Sequence, residues 1–153
     1  IKEFDLDTVQ LHGEETVQYC EELLLALEQF KKGLKRPEVI KAFAIDADFD
    51  FETLEPYQQV CDFFLFDTKG KDRGGNGIAF DWELLRGYAQ KKPFFLSGGI
   101  GLETSGGLQL FLGSGIGKNC YAIDVNSRFE IEPGLKDIKK LKMFGWNSFF
   151  NNE

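Results

Sequence analysis

Histidine and cysteine are scarce in this chain: one histidine, His12, and three cysteines, Cys20, Cys61 and Cys120, in 153 residues. No grouping of Cys, His and acid has the spacing of a metal site, so no metal is expected. The cysteines are odd in number, far apart and without a C-x-x-C pair, and they read as reduced, buried thiols of a cytoplasmic protein. No apolar run reaches the ~18 residues of a membrane helix, and no signal-peptide pattern is present, so membrane and secretory classes are not expected. An excess of positive charge is also missing. The net charge is −7, which argues against a nucleic-acid scaffold. It leaves room for a small basic pocket that takes a phosphorylated metabolite. There is no linker and no low-complexity segment, so residues 1–153 are expected to form a single domain with a real core. The first residue is Ile1 rather than Met, so the natural start is expected to lie elsewhere.

What is present is an alternation of strand-like and helix-like segments. "DTVQLHG" (Asp7–Gly13) reads as a strand ending in glycine. "EETVQYCEELLLALEQFKKG" reads as a helix with Tyr19, Leu23, Leu27 and Phe30 on one stripe and Gly33 as its C-cap. "EVIKAFAI" (Glu38–Ile45) is a second strand. In the short helix that follows, Phe51, Leu54, Tyr57 and Val60 recur three apart, and Pro56 limits its length or sits in its first turn. "CDFFLFD" is a third strand, and "DWELLRGYAQ" a helix capped by Asp81. "KPFFLSGG" is a fourth strand, followed by a weak, glycine-interrupted helix, "LETSGGLQLFLG". "CYAIDVNS" is a fifth strand, and "GLKDIKKLKMF" a closing helix with Leu135, Ile138, Leu141 and Phe144 three apart.

Five β-α units in succession imply an α/β protein with a parallel sheet and crossover helices. The strands are continuously apolar, as they are when both faces of a sheet are covered. Two architectures fit: an open doubly wound sheet, or part of a (βα)8 TIM barrel. The polar residues favour the barrel. Four strands end in groups with chemistry: Gln10 and His12, then Asp67, then Ser97-Gly98-Gly99, then Asp124, Asn126 and Ser127. An open sheet usually gathers its site at one switch point, whereas a barrel draws one or two residues from many strand ends.

Several of these residues could carry chemistry. Asp67 shares a strand face with Leu65 and Phe63, opposite Phe66 and Phe64. If the second face meets the helices, Asp67 points into a barrel mouth, where a carboxyl group can serve as a general acid. The alternative is a helix cap or a loop salt bridge. "KGKDRGGNG" (Lys69–Gly77), with Gly74, Gly75 and Gly77, is long enough for a lid over a site and equally suits a plain surface loop. It lacks the G-K-[ST] ending of a Walker A loop. "SGGI" leaves bare backbone directly after a strand, where N–H groups can approach an anion. Ser127 and its neighbours come one strand later, and in barrels the last two loops commonly share a phosphate. His12 could orient a substrate or transfer a proton, although a lone histidine is more often structural.

"VQLHGEE", "FLFDT…GGNGIAFDWELL", "FLSGGI" and "AIDVNSRFEIEPGLKD" occur in this order, from about Thr8 to Phe144. Together they resemble the phosphoribosylanthranilate isomerase family of tryptophan biosynthesis. The resemblance implies a (βα)8 barrel, no metal or organic cofactor, and a phosphorylated sugar-anthranilate substrate. It implies an Amadori rearrangement of N-(5'-phosphoribosyl)anthranilate to an aminoketose: an acid opens the furanose ring, a base removes the C2' proton, and the enolamine tautomerises. By the same resemblance Asp67 matches the general acid, and Gly98 and Gly99 the phosphate loop after strand seven. Asp124, Asn126 and Ser127 match the end of strand eight, Gln10 and His12 the end of strand four, and Gly74, Gly75 and Gly77 the loop after strand six. Asn126 departs from the serine of many members. The family's first strand, of the type K-I-C-G with its general-base cysteine, has no counterpart here, nor has the arginine after strand two. The five strands therefore correspond to strands four to eight, with about three βα units missing.

The missing part leaves two alternatives to an isomerase: a non-catalytic phosphate-binding half-barrel, or one that pairs with another copy or a complementary fragment. Another sugar-phosphate barrel, the histidine-pathway isomerase family, is similar at the double-glycine loops but lacks the "VQLHG" and "GGNGIAFDW" strings.

Overall fold

A computed structural model of the protein describes residues 3–30, 36–68 and 82–145. Five strands form one sheet: β1 (Thr8–Leu11), β2 (Glu38–Ile45), β3 (Phe63–Thr68), β4 (Phe94–Leu96) and β5 (Cys120–Ile123). Every pairing is parallel and the spatial order is the chain order. A doubly wound sheet must reverse its strand order at a switch point, and this one does not. Sequential winding is what a (βα)8 barrel does, so the sheet is a barrel segment of five strands.

The two faces of the sheet have different roles. Phe64, Phe66, Phe94 and Leu96 join Val39 and Ile45 in the main core beneath the helices. Ile40, Ala42 and Leu65 form a second small core with Phe63 and Phe95 packed against it. That is the alternation expected of strands covered on both sides. The interior side is therefore already a packed layer: Leu65 is only 3% exposed. Tyr121 lies at its margin, with its ring 4.7 Å from that of Phe63 and 5.5 Å from that of Phe95.

The crossover segments are a mixture. Helix α1 (Val17–Phe30) begins after Thr16, whose hydroxyl accepts from the Tyr19 amide at 3.2 Å. Its buried stripe runs through Cys20 and Leu27, with Leu23 and Leu24 beside them, while Tyr19 is about half exposed. Leu23 and Leu27 of the expected stripe therefore pack inward, and Cys20 takes the place of Tyr19. The expected cap Gly33 lies outside the described residues. The segment after β2 is a nine-residue 3-10 helix, Phe51–Gln59, capped by Asp50, whose carboxylate accepts from Glu52 N. Its three-residue apolar spacing is the 3-10 period itself, and Pro56 sits in its interior rather than its first turn. After β3, Trp82–Gly87 is also 3-10, and its expected cap Asp81 lies outside the described residues.

Beyond β4, a single 3-10 turn (Leu102–Thr104) leads into α2 (Ser105–Leu112). Gly107 lets that helix lie against Trp82, since a Cβ there would stand 2.8 Å from the indole ring. The closing helix is shorter than its pattern. Glu130–Glu132 (β6) and Leu135–Lys136 (β7) form a small antiparallel hairpin, and α3 (Ile138–Phe144) starts only after Asp137 caps it. Pro133-Gly134 makes the hairpin turn, with Gly134 at φ 85°. Leu135 and Ile138 are therefore exposed, and Phe144 alone of the expected stripe is buried, its ring 5.0 Å from that of Phe129.

Candidate active site

The carboxyl ends of β3, β4 and β5 meet on one rim. Phe66, Leu96 and Ile123 are in register across the three strands. The next residue of each strand is Asp67, Ser97 and Asp124. Backbone bonds stitch them together: Ser97 N donates to Phe66 O at 2.8 Å, and Asp124 N donates to Leu96 O at 2.7 Å. Asp67 shares the inner face with Leu65, because Phe64 and Phe66 point to the helices. It is partly exposed.

The corner after β4 is built from backbone. Gly98 has φ 94° and Gly99 has φ 61°, a pair of left-handed residues that other L-amino acids adopt at a cost. Ile100 then plunges into the core at 2% exposure and anchors the corner from below. The Ser97 hydroxyl reaches Asp124 at 3.4 Å. Ser127 opens a 3-10 turn, Ser127–Phe129, whose far end is fixed by the fully buried Phe129. Ser127 itself is exposed, as are Asp124 and Asn126. The side chain of Asn126 is already engaged, its Oδ1 accepting from Lys136 Nζ at 2.5 Å. Lys136 is in turn paired with Glu130 at 2.7 Å. The hairpin β6–β7 thus holds Asn126 through Lys136.

Gln10 and His12 lie at the end of β1, two strands from Asp67. Gln10 is exposed and pairs with Ile40, which belongs to the inner layer, whereas Val9 and Leu11 pack on the helix side. His12 is likewise exposed. Gly74, Gly75 and Gly77 lie outside the described residues.

None of the cysteines offers a nucleophile or a base. Cys20 and Cys61 are buried in the helix-side core, and all three thiols are free. Burial pushes the Cys61 thiol up to about 12 and the Cys120 thiol up to about 12. Thiols held neutral in this way are inert. Cys61 also precedes β3, at the end of the sheet remote from the rim.

Two features of the site were not anticipated from the sequence. Ser97 bridges toward Asp124, and a lysine, Lys41, is buried in β2 beside the corner that follows His12. A lysine inside the apolar run "EVIKAFAI" is itself a legible signal, since a charge in a doubly covered strand is costly unless it is partnered.

These elements define the chain as the larger part of a (βα)8 barrel with its polar rim at the strand carboxyl ends. The model of the N-(5'phosphoribosyl)anthranilate (PRA) isomerase family matches residues 1–146. N-(5'-phosphoribosyl)anthranilate isomerase of Parabacteroides distasonis is 44% identical over 141 residues, which is 92% of this chain and 58% of that protein. The enzyme of the same name from Phocaeicola vulgatus is 42% identical over 143 residues, 94% of this chain and 63% of that protein. The crystal structure of phosphoribosyl anthranilate isomerase from Thermus thermophilus superposes with a TM-score of 0.67 at 28% identity, over 91% of this chain and 58% of that one. The chain belongs to the N-(5'-phosphoribosyl)anthranilate isomerase family, and it spans about three-fifths of the length of these relatives.

Proposed function

We propose that this chain forms the acid and phosphate side of a phosphoribosylanthranilate isomerase, acting in tryptophan biosynthesis on N-(5'-phosphoribosyl)anthranilate. The observation that carries the reading is the shared rim: Asp67, Ser97 and Asp124 each follow a registered residue, with the left-handed pair Gly98-Gly99 between the last two. A phosphate at that corner would meet bare amides from Gly98 and Gly99 and the hydroxyl of Ser127, which need no counter-charge to hold an anion. With the phosphate fixed there, the ribose reaches back toward Asp67. Asp67 delivers a proton to the furanose ring oxygen as the C1'–O bond breaks, and the anthranilate nitrogen supplies the electrons that form the Schiff base. Loss of the C2' proton then gives the enolamine, which tautomerises to the aminoketose. Gln10 and His12 are placed on the substrate side by this reading. The base for the C2' proton is not among Cys20, Cys61 and Cys120, whose burial keeps them neutral. It is assigned to the part of a relative-length barrel that the 153 residues do not include. Residues 1–153 would then act as one unit, supplying strands four to eight.

The test is to assay the chain alone and joined to the first three βα units of the Parabacteroides distasonis relative, following the loss of substrate anthranilate fluorescence. Turnover in the joined protein and none in the chain alone is the expected result. A joined, folded barrel that binds the substrate without converting it would favour the non-catalytic phosphate-binding alternative and overturn the isomerase reading.

The phosphate corner has its own test. Gly99→Ala imposes an L side chain on a φ of 61°. The strain of roughly 1–2 kcal/mol should appear as about a tenfold rise in KM with a smaller change in kcat. An unchanged KM would remove Gly99 from the phosphate site.

A further inference from the structure

Lys41 is the one fully buried charged side chain among the described residues, at 3% exposure. It sits in the middle of β2 on the face of Val39, Phe43 and Ile45, beneath the helices and away from the inner layer. An ammonium group in an apolar layer is costly unless its donors are all used. Here they are. Lys41 Nζ donates to Gly13 O at 2.9 Å and to Ala42 O at 2.9 Å, and it pairs with Glu15 Oε2 at 3.3 Å. It also lies 5.0 Å from the centre of the Phe43 ring.

The other half of the arrangement is Glu15. Its two carboxylate oxygens accept from Gly13 N at 3.1 and 2.9 Å. Burial works against its charge, but bonds from the amides of Glu15 itself and of Gly13, and then Lys41, outweigh it and hold the carboxyl below its ordinary range. Tyr57 O–H donates to Glu15 O at 3.0 Å, tying the corner to a third element. Both backbone polar groups of Gly13 are thus held by one ion pair. Gly13 is the residue directly after His12.

We propose that the Lys41–Glu15 ion pair is a positioning device for the substrate rim: by gripping Gly13 at its N–H and its C=O, it fixes the corner after β1 and so the placement of His12. Neither residue faces the inner layer, so neither is catalytic; they act through the backbone. The inference rests on the reading of His12 as a substrate-side residue, and its test separates the two. A buried ion pair with a merely structural role would, when removed, lower stability everywhere. A positioning pair loosens one corner first.

The variants are Lys41→Met, which keeps the length and apolar stem without the charge, Lys41→Arg, and Glu15→Gln. Amide hydrogen exchange is followed at Gly13 and in β3 and β4, together with the imidazole NMR signals of His12, the only histidine of the chain. KM and kcat are measured in the joined protein described above. In Lys41→Met, Gly13 exchange should accelerate about tenfold or more, as loss of a charge-assisted bond implies, while β3 and β4 stay protected. The His12 signals should move, and KM should rise more than kcat falls. Lys41→Arg should restore most of each. Gly13 exchange and His12 signals unchanged from wild type would overturn the proposal, and so would acceleration of all three regions together. Should Lys41→Met fail to fold, Glu15→Gln, at a more exposed position, is read by the same criteria and decides the matter. If Gly13 and His12 loosen and KM does not change, the clamp stands and it is the substrate role of His12 that fails.

Discussion

Asp67→Asn should lower kcat in the turnover-competent protein by roughly 10²–10⁴-fold, the usual contribution of a general acid, with KM nearly unchanged. The amide keeps the shape of the carboxyl group and can still hydrogen-bond, but it cannot hand over a proton. In the proposed reaction the ring-opening step needs that proton when the C1'–O bond breaks. Asp124 is the nearest comparison. Its carboxylate accepts from Ser97, which under the proposed reading sets it beside the phosphate corner rather than the ring oxygen. Asp124→Asn should therefore act mainly on KM. Stability separates chemistry from scaffolding: Asp67 is partly exposed at a strand end, and its replacement should change unfolding free energy by no more than about 0.5 kcal/mol. Turnover equal to wild type would end the general-acid assignment, and a large loss of stability accompanying the loss of rate would make Asp67 structural instead.

The strand face that Asp67 shares with Leu65 was legible because strand geometry leaves little freedom. In "FFLFDT" the period of two puts Asp67 with Leu65, and the sheet confirms which of the two faces meets the helices. The strands themselves were legible as apolar runs stopped by polar residues, and their observed ends at Leu11, Ile45, Thr68, Leu96 and Ile123 fall within two residues of the polar or glycine stops near Gly13, Ile45, Asp67, Gly98 and Asp124. Barrel winding was favoured by the scatter of polar strand ends, and sequential strand order established it.

The crossovers were less legible, each for its own reason. A spacing of three fits the 3-10 period as well as an α-helical face, so the apolar pattern marks Phe51–Gln59 as a short helix without saying which kind. In α1, a cysteine that packs as a small hydrophobe displaced Tyr19 from the core, since a phenol gains by keeping its hydroxyl in water. The hairpin β6–β7 carried a turn signal, Pro133-Gly134, that a three-residue apolar pattern running across it concealed. The grip of Lys41 and Glu15 on Gly13 was beyond one-dimensional reading altogether. It joins residues 28 apart in the chain, and only the buried lysine hinted at it.

The division of the sheet into a main core and a thin inner layer predicts a second large effect, on stability. Phe64, the second residue of β3, is fully buried. Its ring meets Phe43 edge-on at 5.3 Å, and lies 6.0 Å from Phe66 and 6.3 Å from Tyr88. Lys92 Nζ stands 5.8 Å from its centre. Phe64→Ala removes a ring from a site closed on all sides by other rings and by the strand pairing, so little can collapse into the space. A loss of about 3–5 kcal/mol is expected, a large share of the stability of a domain this size. Phe95 is a phenylalanine in the neighbouring strand on the opposite face, only partly buried, with Phe63 at 5.4 Å and Tyr121 at 5.5 Å as its ring partners. Tyr121 is itself 60% exposed, so water and neighbouring side chains can fill part of the space that Phe95→Ala leaves. Its loss should be smaller, about 1–2 kcal/mol, from the apolar area still withheld from water. Urea unfolding of the two variants against wild type, with the slope checked for constancy, measures both. If Phe95→Ala proves as damaging as Phe64→Ala, the inner layer rather than the helix side is the principal core. The strand face that presents Asp67 would then be a sealed interior instead of the floor of a mouth open to substrate.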